Sequence, residues 1–145
     1  MKKLFPLYAS FLFLFTTAAA SAFAQAPAPD TSTAQAEQAA AAWLQEVDGE
    51  RYAASWEQSA TVFRDAVKKP EWEQGVASLR KQLGKLENRT QKSAVFTTTL
   101  PGAPTGEYVV VQYSTTFANR PNSVETVTPV RDTDGTWRVS GYYIQ

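Results

Sequence analysis

The last forty residues of the chain contain three β-rich segments: EYVVVQYSTTFA at residues 107–118, SVETVTPVR at 123–131 and TWRVSGYYIQ at 136–145. Valine, threonine and aromatic residues dominate all three segments, and these residues fit a pleated, half-buried surface. Turn-forming residues separate them, NRPN at 119–122 and DTDG at 132–135. We therefore predict a three-stranded antiparallel meander on which the rest of the domain packs.

The first of these segments alternates strictly, which tells which face of the sheet is buried. Its apolar side chains at odd positions share one face, while most even positions are polar. The odd positions are Val109, Val111, Tyr113 and Phe117. Pro129 cannot donate to a ladder, so its strand is predicted to lie at an edge or to be bulged there. Gly141 predicts a similar bulge near the end of the last strand.

Three helices and one further strand are predicted upstream of the meander. Apolar residues recur at steps of three and four over residues 34–48, 50–68 and 70–83, and Pro70 suits the first position of its helix. Gly49 and Gly84 are placed as C-terminal stops. A strand is predicted over residues 86–100. This order indicates an α+β fold, in which three helices cover one face of a curved four-stranded antiparallel sheet. We expect the two layers to enclose a cone with an open mouth.

The N-terminus predicts export. Lys2 and Lys3 precede an uncharged apolar stretch at residues 4–20, and the small-x-small string AFA at 22–24 precedes Gln25. This pattern is typical of a cleavable signal peptide at residues 1–24; the alternative is a membrane anchor. Residues 25–33 are small, polar and proline-bearing and predict a disordered tether, followed by a single domain at 34–145. We expect a periplasmic or extracellular protein without a stable membrane anchor after cleavage.

The composition excludes several kinds of site. The chain has no His and no Cys, so it offers no Ser-His-Asp or Cys-His arrangement and no zinc site built on imidazole or thiolate. Removal of residues 1–24 leaves the formal charge near −2, and the basic pairs at 68–69 and 80–81 are too sparse for a nucleic-acid interface. We expect no catalytic residue, no cofactor, no metal and no nucleic-acid partner.

Ordered blocks of residues give the chain a family resemblance. The blocks are DGERYAASW at 48–56, Arg89, LPG at 100–102, YVVVQY at 108–113, FAN at 117–119, VETVT at 124–128 and WRVSGYY at 137–143. From about residue 36 to 145 the chain resembles the domain-of-unknown-function 4019 family of small secreted bacterial proteins. The resemblance implies export and a cone similar to the cystatin-like and nuclear-transport-factor-2-like folds. It implies no catalytic residues.

A binding or interaction module is the first functional hypothesis, with a small apolar molecule or a protein as the partner. Aromatic side chains would line the mouth of the cone, and we select Tyr52, Trp56 and Tyr113 because tyrosine and tryptophan bury area while keeping a polar group. Arg89 and Glu125 would orient the ligand. The competing interpretation is that the three aromatics are core residues and that the two charges lie in solvent.

Two further hypotheses stay open. A cone without His or Cys has the residues for proton transfer by a carboxylate base and a tyrosine donor. Alternatively, the chain forms a homodimer or binds a protein through a sheet edge or an aromatic C-terminus, which comprises Trp137, Tyr142, Tyr143 and Ile144. The competing interpretation of that last group is that Trp137 and Tyr143 close the core while Tyr142 is half exposed.

Overall fold

The structure, a computed structural model, describes residues 30–145. The predicted signal peptide and residues 25–29 of the predicted tether lie outside them. The described elements are, in order, α1 Thr31–Asp48, α2 Tyr52–Glu57, α3 Thr61–Ala66, α4 Lys69–Leu83, β1 Leu86–Thr97, β2 Tyr108–Phe117, β3 Arg120–Arg131 and β4 Trp137–Ile144. The strands form one antiparallel sheet in the order β1-β2-β3-β4. The α+β fold is therefore as predicted. None of the helices within residues 30–145 combines the length and the apolar character that crossing a membrane requires.

Helix α1 begins three residues earlier than predicted, because Asp30 accepts a hydrogen bond from the backbone N–H of Ser32 and caps the helix. Residues 31–33, which were assigned to the tether, lie in this helix. Its buried face follows the predicted spacing and comprises Ala36, Ala40, Trp43, Leu44 and Val47. Gly49 ends the helix and donates its N–H to the carbonyl of Gln45.

The predicted helix at residues 50–68 is two short helices, α2 and α3. The break between them comes from hydrogen bonds to the sheet: the N–H of Ala60 donates to the carbonyl of Val139, at 2.8 Å. Both the N–H and the hydroxyl of Thr61 donate to Asp132 Oδ2, at 3.0 Å. The carboxylate of Asp132 therefore caps α3 from 71 residues away, which the helical periodicity could not reveal.

A register shift between Thr128 and Pro129 bulges the sheet between β3 and β4. Strand β3 lies between β2 and β4, so of the two predictions for Pro129 the bulge is confirmed and the edge position is wrong. Across from the shift, Pro129 pairs with Val139 and Thr128 pairs with Gly141, so one residue of β4 has no partner. Side chains after this residue therefore lie on the face opposite to the one that regular alternation would give them. Trp137 and Val139 are buried before the bulge, and Tyr142 packs against the core after it.

The expectation that Tyr143 closes the core is therefore wrong. Tyr143 is 50% exposed, whereas the ring of Tyr142 lies 5.2 Å from that of Trp43 and 6.4 Å from that of Trp72. The indoles of Trp43 and Trp72 are 5.6 Å apart. These three rings occupy the space between the helices and the sheet. Trp56, for which a core position was the competing interpretation, is only partly buried and donates its indole N–H to the carbonyl of Val67.

Helix α4 ends at a position that requires glycine. Gly84 has a φ of +76°, in the left-handed region, and an added Cβ would lie 2.9 Å from the side-chain nitrogen of Asn119. Asn119 caps the helix, because its side chain donates to the carbonyl of Gln82 and its backbone N–H to that of Leu83. The turn after β2 is thereby fixed against the end of α4.

Candidate functional site

A buried carboxylate lies at the centre of the charged groups on the sheet. Glu125, on β3, is 0% exposed and pairs in register with Tyr113 on β2. Its Oε2 accepts from Arg89 Nε at 2.5 Å and from the hydroxyl of Thr115 at 2.7 Å. Its Oε1 accepts from Arg89 Nη2 at 3.1 Å and from the hydroxyl of Tyr142 at 2.6 Å. Both oxygens are thus fully hydrogen-bonded, as a buried charge requires.

Arg89 connects this carboxylate to the end of α1. Its Nη1 lies 2.6 Å from Asp48 Oδ2 and its Nη2 lies 3.0 Å from Asp48 Oδ1. Burial alone lowers the pKa of Arg89, but the hydrogen bonds to Asp48 and Glu125 outweigh this effect and raise it above its usual value. Arg89 and Glu125 are paired and largely buried, so the interpretation that both are solvated surface charges is wrong.

The chain of charges continues to α4. Arg80 forms an ion pair with Asp48 and places its guanidinium 5.2 Å from the centre of the Phe117 ring. Charges of alternating sign therefore run from Glu125 through Arg89 and Asp48 to Arg80, and we call these four residues the charge chain. It joins β3, β1, α1 and α4 near the ends of both helices.

Tyr113 lies beside the charge chain without taking part in it. The ring is buried, and within residues 30–145 the hydroxyl has no hydrogen-bond partner. Burial raises the pKa of Tyr113 to about 12. Burial, and then the negative charge of Glu125, also raise the pKa of Tyr142 above its usual value. The two tyrosines thus differ in whether the hydroxyl has a partner.

Replacing Tyr113 with phenylalanine is expected to change the free energy of unfolding by less than about 1 kcal/mol, because its hydroxyl has no hydrogen bond to lose. Tyr142→Phe is expected to lower it by about 1.5–3 kcal/mol, because that hydroxyl donates to a buried carboxylate. Urea unfolding of both variants measures the difference. Equal losses would show that the hydroxyl of Tyr113 has a partner after all.

Tyr113 also predicts a dependence of stability on pH. Its pKa is about 12 in the folded state and about 10 in an unfolded chain. Because the folded pKa is the higher one, the contribution to stability is complete below pH 10 and is lost as the pH rises towards 12. Tyr113→Phe should therefore make the loss of stability between these pH values less steep, as measured by urea unfolding across that range.

A cleft of about 730 Å³ opens beside the charge chain, between the ends of α1 and α4 and the start of β1. Its apolar lining consists of Val47, Tyr52, Ala77 and Leu86. Its charged lining consists of Asp48, Glu50, Arg80, Lys81 and Lys85. Lys81 and Lys85 form no ion pair within residues 30–145, whereas Arg80 is paired with Asp48.

Comparison with known proteins identifies the family. The sequence model of one protein family, described as protein of unknown function (DUF4019), matches residues 39–142. The chain belongs to the DUF4019 family. The resemblance that the ordered sequence blocks indicated is confirmed. No curated protein and no solved structure matches the chain.

The DUF4019 chain distributes the predicted site residues over three places. Tyr52 lines the cleft, and Arg89 reaches it through Asp48. Glu125 and Tyr113 are buried and lie side by side, paired in register on β3 and β2. Trp56 is not among the residues that line the cleft. Of the five selected residues, Tyr52 lines the cleft, and Arg89 and Glu125 belong to the charge chain.

Asp48, Arg80, Lys81 and Lys85 line the cleft but were not selected from the sequence. Asp48 lies within the sequence block at 48–56, but its position directly before the glycine stop was taken only as a helix end. Arg80 and Lys81 were dismissed as a sparse basic pair. These side chains lie close together because α1 and α4 end at the same place. In the sequence, only Gly49 and Gly84 indicated where the two helices end. Within the described residues, no group of three or more acidic side chains is placed to hold a metal ion.

Proposed function

We propose that this DUF4019 protein is an exported, non-catalytic binding module whose cleft takes a small organic anion with an apolar body. One observation carries the proposal: Lys81 and Lys85 line a cleft together with apolar side chains, and neither has a carboxylate partner within residues 30–145. A volume of about 730 Å³ suits a small molecule. The proposed cleavage after residue 24 would deliver the module outside the cytoplasm.

The charges in the cleft favour an anionic head group. Three of its five charged side chains are cationic. Of the two carboxylates, that of Asp48 is already paired with Arg80 and Arg89. Helix C-termini carry partial negative charge, which disfavours anions. The last carbonyls of both helices already accept hydrogen bonds, those of α4 from Asn119, so this opposing effect is reduced.

The packing of the interior indicates that a ligand would bind in the cleft and not at the centre of the domain. Trp43, Trp72 and Tyr142 contact one another between helices and sheet. We infer that the helices and the curved sheet form a cone of the cystatin-like or nuclear-transport-factor-2-like type, with the cleft at its mouth. An apolar ligand held deep in the cone would have to displace these rings.

The contacts of Glu125 also favour binding over proton transfer. Glu125 and Tyr142 form the carboxylate–tyrosine pair that such an enzyme would use. However, the carboxylate accepts four hydrogen bonds, so no free lone pair remains to take a substrate proton. The carboxylate is also inaccessible, since Glu125 is fully buried. We therefore favour a binding module.

Anilinonaphthalene sulfonate, an anion with an apolar body, provides the probe. We expect the double variant Lys81→Gln/Lys85→Gln to bind it about tenfold more weakly, a loss of about 1.4 kcal/mol. N-phenylnaphthylamine, which lacks the sulfonate, should bind both proteins alike. Fluorescence titration of protein purified from the periplasm measures both affinities. The intact mass of the same protein shows whether residues 1–24 have been removed.

The matched control is Lys68→Gln/Lys92→Gln, which removes the same charge from exposed positions outside the cleft. It should bind the sulfonate as the unmodified protein does. Ala77→Trp should fill the cleft and abolish binding without loss of stability, because Ala77 is exposed. Equal binding by the two double variants would overturn the anion site.

A further inference from the structure

Strand β1 is an edge of the sheet, and its two halves differ. The first half contains register shifts between Leu86 and Asn88 and between Gln91 and Ser93, and it carries three charged residues. Such bulges and charges protect an edge from pairing with another chain. The second half, residues 93–97, pairs regularly with β2 and has neither device. The uncharged sequence continues to residue 106.

This second half presents both backbone and apolar groups to solvent. No backbone hydrogen bond outside the β1–β2 ladder involves residues 93–97 within the described chain. Val95 is 57% exposed and Phe96 is 42% exposed, two of the four large apolar side chains that are this exposed in residues 30–145. A regular, uncharged edge with exposed apolar side chains is a template for strand addition.

We propose that residues 93–97 of two copies of this chain pair antiparallel about a two-fold axis, which extends the sheet from four strands to eight. A two-fold axis places the segment opposite itself, so a sequence without charges brings no like charges together. Residues 93–106 contain no charged residue, so they offer no ion pair by which a charged peptide from another protein could be selected. The second copy is therefore the occupant that the segment suits best.

The opposite edge of the sheet explains why the assembly stops at two. Strand β4 is the other edge, and the N–H of Ala60 already donates to its carbonyl at Val139. Helix α3 packs along the same strand, with its first turn fixed to Asp132. The edge of β4 is thus engaged by residues of its own chain at Val139. An isologous dimer formed through residues 93–97 alone closes without forming a filament. A five-residue ladder spans about 17 Å, so we expect a weak dimer.

Sedimentation velocity of the exported protein over a concentration series tests the pairing. Val95 lies at the centre of the segment, so the two-fold axis would place it opposite its own copy. Val95→Lys and Val95→Glu are each expected to weaken dimerisation by about fivefold, the upper end of the effect of one cross-strand pair, because each places like charges directly opposite. An equimolar mixture of the two variants should restore it by forming a heterodimer. Val62→Lys, at a 40% exposed valine on α3, is the matched control and should have no effect.

Each outcome decides the proposal. A monomer at millimolar concentration, a dimer that tolerates Val95→Lys, or a mixture that stays monomeric would overturn it. Circular dichroism checks that the variants fold, which the exposure of Val95 leads us to expect. Residues 93–97 do not line the cleft, so this result is independent of the ligand-binding proposal.

Discussion

Replacing Arg89 with methionine is expected to lower the free energy of unfolding by about 3–5 kcal/mol, because it leaves the fully buried Glu125 without its counter-charge. The substitution also removes the ion pair between Arg89 and Asp48, and with it this link from the end of α1 to β1. The long apolar part of the side chain is retained, so the loss reports the charge and not the packing. Urea unfolding measures it.

Two comparisons make this result interpretable. Arg131→Met breaks an ion pair with Glu107 in which both side chains are nearly half exposed, at 45% and 43%, and it should cost less than about 1 kcal/mol. The double variant Arg89→Met/Glu125→Gln removes both charges and should recover much of the loss. If Arg89→Met cost no more than Arg131→Met, the charge chain would not be what holds the helix ends to the sheet.

The sheet could be predicted from local pattern, because alternation and turn residues are local signals. The odd positions of β2 are buried as the alternation requires, down to Phe117. In β4 the bulge predicted at Gly141 is confirmed, whereas the interpretation that Tyr143 closes the core was wrong. Thr128, Pro129 and Gly141 together produce one bulge across two strands, and only the pairing reveals that it turns Tyr142 inward and Tyr143 outward.

The site was predictable only in part, for a related reason. Arg89 and Glu125 were selected together, yet 36 residues separate them, and nothing in a single sequence indicates that they pair. Their burial contradicts the usual behaviour of charged residues, which is why a solvated interpretation competed with a functional one. Lys81 and Lys85 look like ordinary surface lysines until Gly49 and Gly84 bring two helix ends to one cleft.

Trp43→Ala is the second substitution with a large expected effect, a loss of about 3–5 kcal/mol in the free energy of unfolding. Trp43 is buried, and its ring contacts those of Trp72 and Tyr142. Its indole N–H donates to the carbonyl of Ser55 at 2.8 Å and to the hydroxyl of Ser59 at 3.0 Å. Removal therefore leaves both a cavity and two buried acceptors that lose this donor.

Trp43→Phe separates these two contributions, because phenylalanine refills most of the cavity but donates no hydrogen bond. We expect it to cost about 0.5–1.5 kcal/mol, the range for a lost hydrogen bond, because the carbonyl of Ser55 still accepts from the hydroxyl of Ser59. Trp56→Ala is the matched control: Trp56 is only partly buried and lies outside the main core cluster, so it should cost less than Trp43→Ala. Near-ultraviolet circular dichroism should lose the signal of the Trp43–Trp72 pair in Trp43→Ala and keep it in Trp56→Ala. If Trp56→Ala cost more than Trp43→Ala, the helices would be held to the sheet elsewhere than at the cluster of Trp43, Trp72 and Tyr142. The filled interior would then no longer be a reason to place a ligand at the mouth of the cone.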